Sequence, residues 1–330
     1  MATSVPCRCP GPVATTVRQV TVIVVGAGIA GLACARELSD AGLTAKVLER
    51  GRVVGGRLAS KRFDDRYADI GAAYITADDP AFHGRLEGWR ISGLAQPWTD
   101  TFQVYDHGKA PYPAAGPMRW SAPGGLRSLA EDLARGVEVK LEHEVTELPE
   151  APLVVLAMPV PQARRITSLD VRQDWSPVLS AILTYPERSW PDFHGAFVND
   201  HPVLATICDD GDRRGDRAPV LVAHSTAGFA TPRLDDPASA AGELEQAVRE
   251  LLGVPAATRT RVHRWTFAQP SPGGPELFHR QGNVYLAGDA FGKPRVQTAW
   301  RSGRAVARDI LARRNESVRG QSVQGQSTER

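Results

Sequence analysis

The sequence predicts an α/β protein: a parallel-sheet domain into which an α+β domain, built on an antiparallel sheet, is inserted. Three observations predict it. A run of β-branched residues, Val22 to Val25, leads straight into GAGIAG, a helical pattern and a second strand. The middle of the chain carries SAILTY, HGAFVND, VLATICD and PVLVAHS, stretches that read as antiparallel strands. The far end returns to the opening pattern, with a buried strand Val284 to Ala287, then Gly288 and Asp289, then a helix from about Val296.

The opening unit holds a division of labour. Gly26, Gly28 and Gly31 have the GxGxxG spacing. Gly26 allows a tight turn, Gly28 lets a pyrophosphate approach the backbone, and Gly31 lets the helix pack closely on the strand. Ile29 and Ala30 open that helix, whose N-terminus faces the phosphate charge. Gly42 sits where a helix C-terminal glycine belongs. The second strand, Ala45 to Leu48, ends in Glu49, 18 residues after Gly31 and placed to accept hydrogen bonds from a ribose; Arg50 follows it. This is a Rossmann-like dinucleotide unit. Six residues past the acid come Gly55, Gly56 and Arg57, a glycine pair that admits a ligand to the backbone and a cation that neutralises phosphate.

Composition bounds the rest. With 330 residues the chain is long enough for one large or two medium domains. Hydrophobic residues are 42% and charged residues 23%, which marks an ordinary globular protein, and a net charge of +2 argues for neither nucleic acid nor membrane. Cys7, Cys9, Cys34 and Cys208 include no CxxC pair, so neither a zinc site nor a disulfide framework is expected, and a reducing, cytoplasmic compartment fits. Arg18 before an apolar run imitates a secretory signal, but that run is the first strand. Residues 1–18 and 315–330 are expected to be disordered.

The motifs GAGIAG, Glu49 and RVVGGR together resemble the FAD signature of glutathione-reductase-like flavoproteins. Within these they look like the amine oxidase, phytoene desaturase and renalase branch. DIGAAYI resembles the element that leads toward the isoalloxazine ring, so Asp69, Gly71 and Ala72 become cofactor candidates and Tyr74 a substrate-side candidate. Pro123-Gly124-Gly125 resembles the family's PGGM helix start, with Leu126 in the methionine place. By the same resemblance Val145 meets the adenine through backbone groups. RVHRWTFAQP resembles the renalase HRWRYA strand, with Trp265 near the flavin and Thr266 and Phe267 where Arg and Tyr are common. Asp289, beside Gly288, would hold the ribityl chain. The helix start at Val296, Gln297 and Thr298 would point N–H groups at flavin N1–C2=O, where the reduced ring carries negative charge. PRVQTAWRSG departs from the family's GRVEGAxxSG at Gln297 and Thr298, and Trp300 within it is a further substrate-side candidate.

The resemblance implies a discontinuous FAD domain over 19–76, 119–165 and 261–314, and a substrate domain over 77–118 and 166–260. Within the latter, DDGDRRGDR reads as a solvated turn, and His194, His201, His224 and His263 as packed or solvent histidines. The expected activity is renalase-like: a dihydronicotinamide isomer gives a hydride to flavin N5, and O2 reoxidises the ring to yield H2O2. Such a substrate needs no general base, since aromatisation drives the transfer. The FAD is expected to be non-covalent, because no cysteine follows Cys208. The alternatives are an amine oxidase or desaturase of the same fold, a hydroxylase or reductase fed by external NAD(P)H, and a flavin-bound scaffold or sensor without turnover. The oligomeric state is open.

Overall fold

A computed structural model describes residues 21–327 apart from 64, 107 and 191. The expected disordered segment 1–18, with Cys7 and Cys9, lies outside the described residues.

Strand β1 (Thr21–Val25), helix α1 (Ile29–Asp40) and strand β2 (Thr44–Leu48) form the predicted unit. A two-stranded antiparallel pair follows, β3 (Ser60–Phe63) and β4 (Arg66–Asp69). The chain then makes α2 (Pro80–Ile91) and the long hairpin β5 (Gln96–Tyr105) and β6 (Tyr112–Ser121). It returns through α3 (Arg127–Ala134), β7 (Glu138–Lys140) and β8 (Leu153–Leu156), and a short α4 (Val160–Ala163) leads out again. Next come β9 (Trp175–Thr184), β10 (Gly195–Val198), β11 (Leu204–Asp209), α5 (Asp210–Arg214) and β12 (Val220–Ser225). After α6 (Ala227–Ala230) and α7 (Ala241–Leu252) run β13 (Arg259–Pro270), β14 (His279–Gln281), β15 (Val284–Leu286) and α8 (Val296–Ser327).

Among the described residues two large sheets result. One has the order β14-β15-β8-β1-β2-β7, parallel except for the β14–β15 hairpin. Its central strands β1 and β8 read Val-Ile-Leu because both faces are covered, while the edge strands β7 and β14 are mostly polar. Val24, Leu32, Leu38, Val47, Leu129 and Val306 join them to α1, α3 and α8 in one core. The other sheet has the order β13-β9-β12-β11-β10-β5-β6, antiparallel except where β10 meets β5. Its core includes Leu179, Leu183 and Leu221 with Leu244 and Val248 of α7. The mixed α/β class and the antiparallel second sheet are as the sequence predicts.

Three expectations are corrected. Residues 261–270 belong to the antiparallel sheet, not the nucleotide-binding part: β13 pairs with β9 from Arg259–Thr184 to Pro270–Trp175. A strand's own pattern reports that one face is buried, not which neighbour it pairs with. The first six residues of DDGDRRGDR are no solvated turn, whereas Gly215 to Arg217 are exposed as expected. Asp209 caps α5 by accepting from Asp212 N–H at 2.9 Å, and Asp209, Asp210 and Arg213 are fully buried. Finally, residues 315–327, expected to be disordered, continue α8. Extending an existing helix carries no nucleation cost, so a polar composition does not stop it.

Candidate functional site

A cleft of about 1070 Å³ opens between the two sheets, where the C-terminal ends of β1, β2 and β15 face β9 and β13. Pockets for drug-sized ligands reach roughly 1,000 Å³, so this one has room for a dinucleotide.

At one end lies the first βαβ turn. Gly26, Gly28, Ile29, Ala30, Glu49 and Arg50 line the cleft. Helix α1 starts at Gly28 with no side-chain cap and no acid in its first turn, so its N–H groups are left for an external anion. Glu49 fastens the turn: one carboxylate oxygen accepts from Ala27 N–H at 2.8 Å and the other from Gly51 N–H at 2.6 Å. Each oxygen keeps a lone pair for a ribose hydroxyl. Gly31 does not line the cleft and packs against Gly26, Ala157 and Val24. Val145 lies at the same end, beside His143, whose N–H donates to Glu49 O at 2.8 Å.

The middle is built by the glycine pair. Gly55 and Gly56 have φ of 115° and 53°, the left-handed region that glycine enters without strain. Gly55 N–H donates to Ala27 O at 2.8 Å, which fastens this loop to the dinucleotide turn. Arg57 points across the cleft. Its guanidinium holds Asp289 through two bonds of 2.6 and 2.5 Å, donates to Ala268 O at 2.9 Å, and lies 5.0 Å from the Trp175 ring centre. The two motifs assign Arg57 and Asp289 separate tasks; the fold joins residues 232 apart in one planar, bidentate pair. Gly71, Ala72, Gly288 and Val296 complete this part.

The wall opposite comes from the antiparallel sheet. Ser180 of β9 stands in register with His224 on one side and His263 on the other, so the three share one face. Trp265 follows on β13, its ring 4.7 Å from that of His263. All four line the cleft. Burial, with Arg213 beside it, lowers the His224 pKa to about 4. Burial also lowers His263 to about 4, helped by Lys61 and Arg264. Both imidazoles are therefore neutral at physiological pH. Sequence reading left these histidines, Ser180 and Trp175 without a role. Only strand pairing brings Ser180, His224 and His263 into a row, and no motif announces it.

Besides Gly31, five candidates have side chains that do not reach the cleft. Asp69 is 1% exposed and takes bonds from Ser60 Oγ, Arg214 Nη2 at 3.0 Å and Leu126 N–H at 3.2 Å. Gln297 turns away and accepts from the N–H groups of Asp78 at 2.8 Å and Asp79 at 3.0 Å. The Thr298 hydroxyl donates to Lys293 O at 2.6 Å. Tyr74 packs edge-on to Phe102 at 5.4 Å, with the Arg119 guanidinium over its ring. Trp300 packs on Phe82 at 5.2 Å, with Arg304 over it. Asp69, Gln297, Thr298 and Trp300 are buried and Tyr74 partly so, and each spends its side chain on protein partners.

Comparison with known proteins agrees with this geometry. Residues 24–85 match the family described as NAD(P)-binding Rossmann-like domain, and residues 100–311, more than half of the chain, match flavin containing amine oxidoreductase. The chain is 35% identical over 105 residues to a putrescine oxidase of Kocuria rosea, covering 32% of this chain and 20% of that protein. It is 49% identical over 55 residues to amine oxidase [flavin-containing] B of Cavia porcellus, covering 16% and 11%. These stretches span a fifth or less of those relatives. Cyclohexylamine oxidase from Brevibacterium oxydans IH-35A has a similar structure, with TM-score 0.72 and 14% identity over 90% of this chain and 100% of that one. A putrescine oxidase bound to putrescine gives TM-score 0.65 and 16% identity over 89% and 99%. At such identities the structures show the fold. The uncapped α1 start, the positive-φ glycines and the Arg57–Asp289 pair fit FAD, and neither Cys34 nor Cys208 lines the cleft to bind it covalently. With the fold, the flavin-sized cleft and the match over residues 100–311 in agreement, this chain belongs to the flavin-containing amine oxidoreductase family, whose cofactor is FAD.

Proposed function

We propose that this FAD-dependent oxidoreductase oxidises an isomeric dihydronicotinamide dinucleotide, in the manner of renalase. The observation that carries the reading is the uncharged row Ser180, His224 and His263 beside Trp265. The neutral imidazoles offer both donors and acceptors, as a carboxamide requires, while the Ser180 hydroxyl, which donates to Ile70 O, keeps a lone pair to accept with. Trp265 offers an aromatic surface against a flat heterocycle. No carboxylate stands in that row to pair with an ammonium ion. Bound FAD supplies the hydride acceptor and passes the electrons on to O2, giving H2O2. The protein's own part is to orient the substrate and to exclude water. Arg57 and Asp289 neutralise one another, so the middle of the cleft presents a neutral pair.

The comparisons favour a second reading, oxidation of a small amine, because the family and the curated relatives are named for amines. Trp175, Trp265 and Phe267 would then flank a neutral amine. Anaerobic stopped-flow mixing separates the two. Isomeric dihydronicotinamides are expected to bleach the flavin, and a panel of amines is not; bleaching by amines alone overturns the first reading. A protein that no reductant bleaches would instead be a flavin-bound scaffold.

The pH dependence is a second check. With His224 and His263 held near 4, reduction by a dihydropyridine should show no imidazole-type limb above about pH 5. An amine substrate would show the limb of its own deprotonation. Single-turnover rates across pH report which occurs. A third expectation concerns the adenosine end. Glu49→Ala removes the acceptor for Ala27 and Gly51 N–H, and FAD affinity should fall about tenfold or more by fluorescence titration. Full yellow occupancy after purification would remove that role.

A further inference from the structure

We infer that Arg213 is a positioning residue for the turn Asp69–Ala73, the cofactor-facing edge of the nucleotide-binding part; the inference rests on the FAD reading above. Three carbonyls of this turn are gripped by side chains from the other sheet and its α5 helix. Arg213 Nη2 donates to Asp69 O at 3.0 Å, and Arg213 Nη1 to Ala73 O at 2.7 Å. Ile70 O accepts from Ser180 Oγ at 2.7 Å and from Trp265 Nε1 at 2.8 Å. Between them lie Gly71 and Ala72, which line the cleft. From the other side, Ala72 N–H donates to Arg57 O at 2.8 Å. The turn therefore hangs between the GGR loop and the substrate wall.

Arg213 is the part of this grip that the cleft does not contain. It is fully buried, and its Nη2 also meets Asp210, whose other oxygen meets Arg66 Nη1 at 3.1 Å and Arg214 Nε at 3.3 Å. A buried ion pair of this kind adds little net stability over an apolar replacement. Its particular gift is geometric: a planar guanidinium bonds two carbonyls four residues apart and a carboxylate at once, which an ammonium ion does not. The same fork fixes the distance from Gly71–Ala72 to Ser180 and Trp265, that is, from the cofactor's cradle to the substrate wall.

The test compares Arg213→Met, Arg213→Lys and Arg66→Gln in the FAD-loaded protein. Readouts are FAD Kd by fluorescence, visible circular dichroism of the bound flavin, and thermal unfolding. Arg213→Met should raise the Kd about tenfold and alter the visible dichroism. Arg213→Lys, which keeps the charge for Asp210 but not the fork, should still alter the dichroism. Arg66→Gln removes an outer partner of Asp210, so it should lower the unfolding temperature and leave the flavin signals as in wild type. The inference is overturned if the Arg213 variants lose thermal stability while Kd and dichroism stay unchanged. It is also overturned if Arg66→Gln moves the flavin signals as far as Arg213→Lys does, because general loosening would then explain both. FAD retention by the wild-type chain tests the cofactor reading separately.

Discussion

A Gly31→Ala variant is expected to purify colourless and to unfold far below the wild type, whereas Gly28→Ala is expected to fold normally and lose only its grip on FAD. The two glycines belong to one motif, but their surroundings differ. A Cβ on Gly31 would lie 2.0 Å from Gly26 O and 3.0 Å from Ala157 Cβ. Backbone of the β1–α1 turn is in the way, so α1 must lift from the sheet. Overpacking against backbone sits at the upper end of its usual cost, about 3 kcal/mol. A Cβ on Gly28 meets no protein atom within 4 Å, and its φ of −74° suits alanine. That methyl would stand only in the path of a ligand on the open α1 N-terminus. Thermal unfolding and flavin absorbance, measured on both variants, decide the matter. Equal loss of stability in the two would sink the distinction, as would a fully yellow Gly31→Ala protein.

The largest loss of stability is expected from Asp210→Ala, about 3–5 kcal/mol, because it leaves buried guanidinium groups without their anion. Arg213 and Asp210 are fully buried, and Arg66 and Arg214 close on the same carboxylate. Burial pushes the Asp210 pKa upward, but Arg213, Arg214 and Arg66 overcome it and hold the value below the ordinary 3.8. The sign of the pH effect follows. A depressed folded-state pKa contributes stability above the unfolded value, lost as pH falls through the folded one. The wild type should therefore lose this contribution only in strong acid, below about pH 4. Asp210→Ala should lack it at every pH, so the two unfolding curves should converge toward low pH. Denaturant unfolding at neutral and acid pH measures this. A constant gap between the curves would show that the carboxylate charge is not what holds the cluster.

How much of this was legible beforehand differs from residue to residue. The dinucleotide turn was readable because its physics is local: a strand, three glycines and an acid all act within 30 residues of chain. The GGR loop and the Gly288-Asp289 helix were readable for the same reason. The first six residues of DDGDRRGDR were misread because charge runs usually face water, and only the arrival of Asp69 and Arg66 from β4 and its edge supplies the partners that bury them. Asp69 was assigned to the cofactor, but the buried cluster claims it. The Gln297 side chain is held by the N–H groups of residues 78 and 79, but the role expected of the helix start rests on its backbone N–H groups and not on that side chain.

The sequence by itself determined the α/β class, the antiparallel second sheet and the nucleotide end of the cleft, since each rests on periodicity or on a backbone conformation that few residue types allow. Only the tertiary structure decided what lines the wall of the cleft opposite the glycines. The row Ser180, His224 and His263 exists because β12, β9 and β13 pair in one register, and the neutrality of its imidazoles exists because other elements bury them. Pairing and burial depend on contacts between distant segments, and no local pattern encodes which segments will meet.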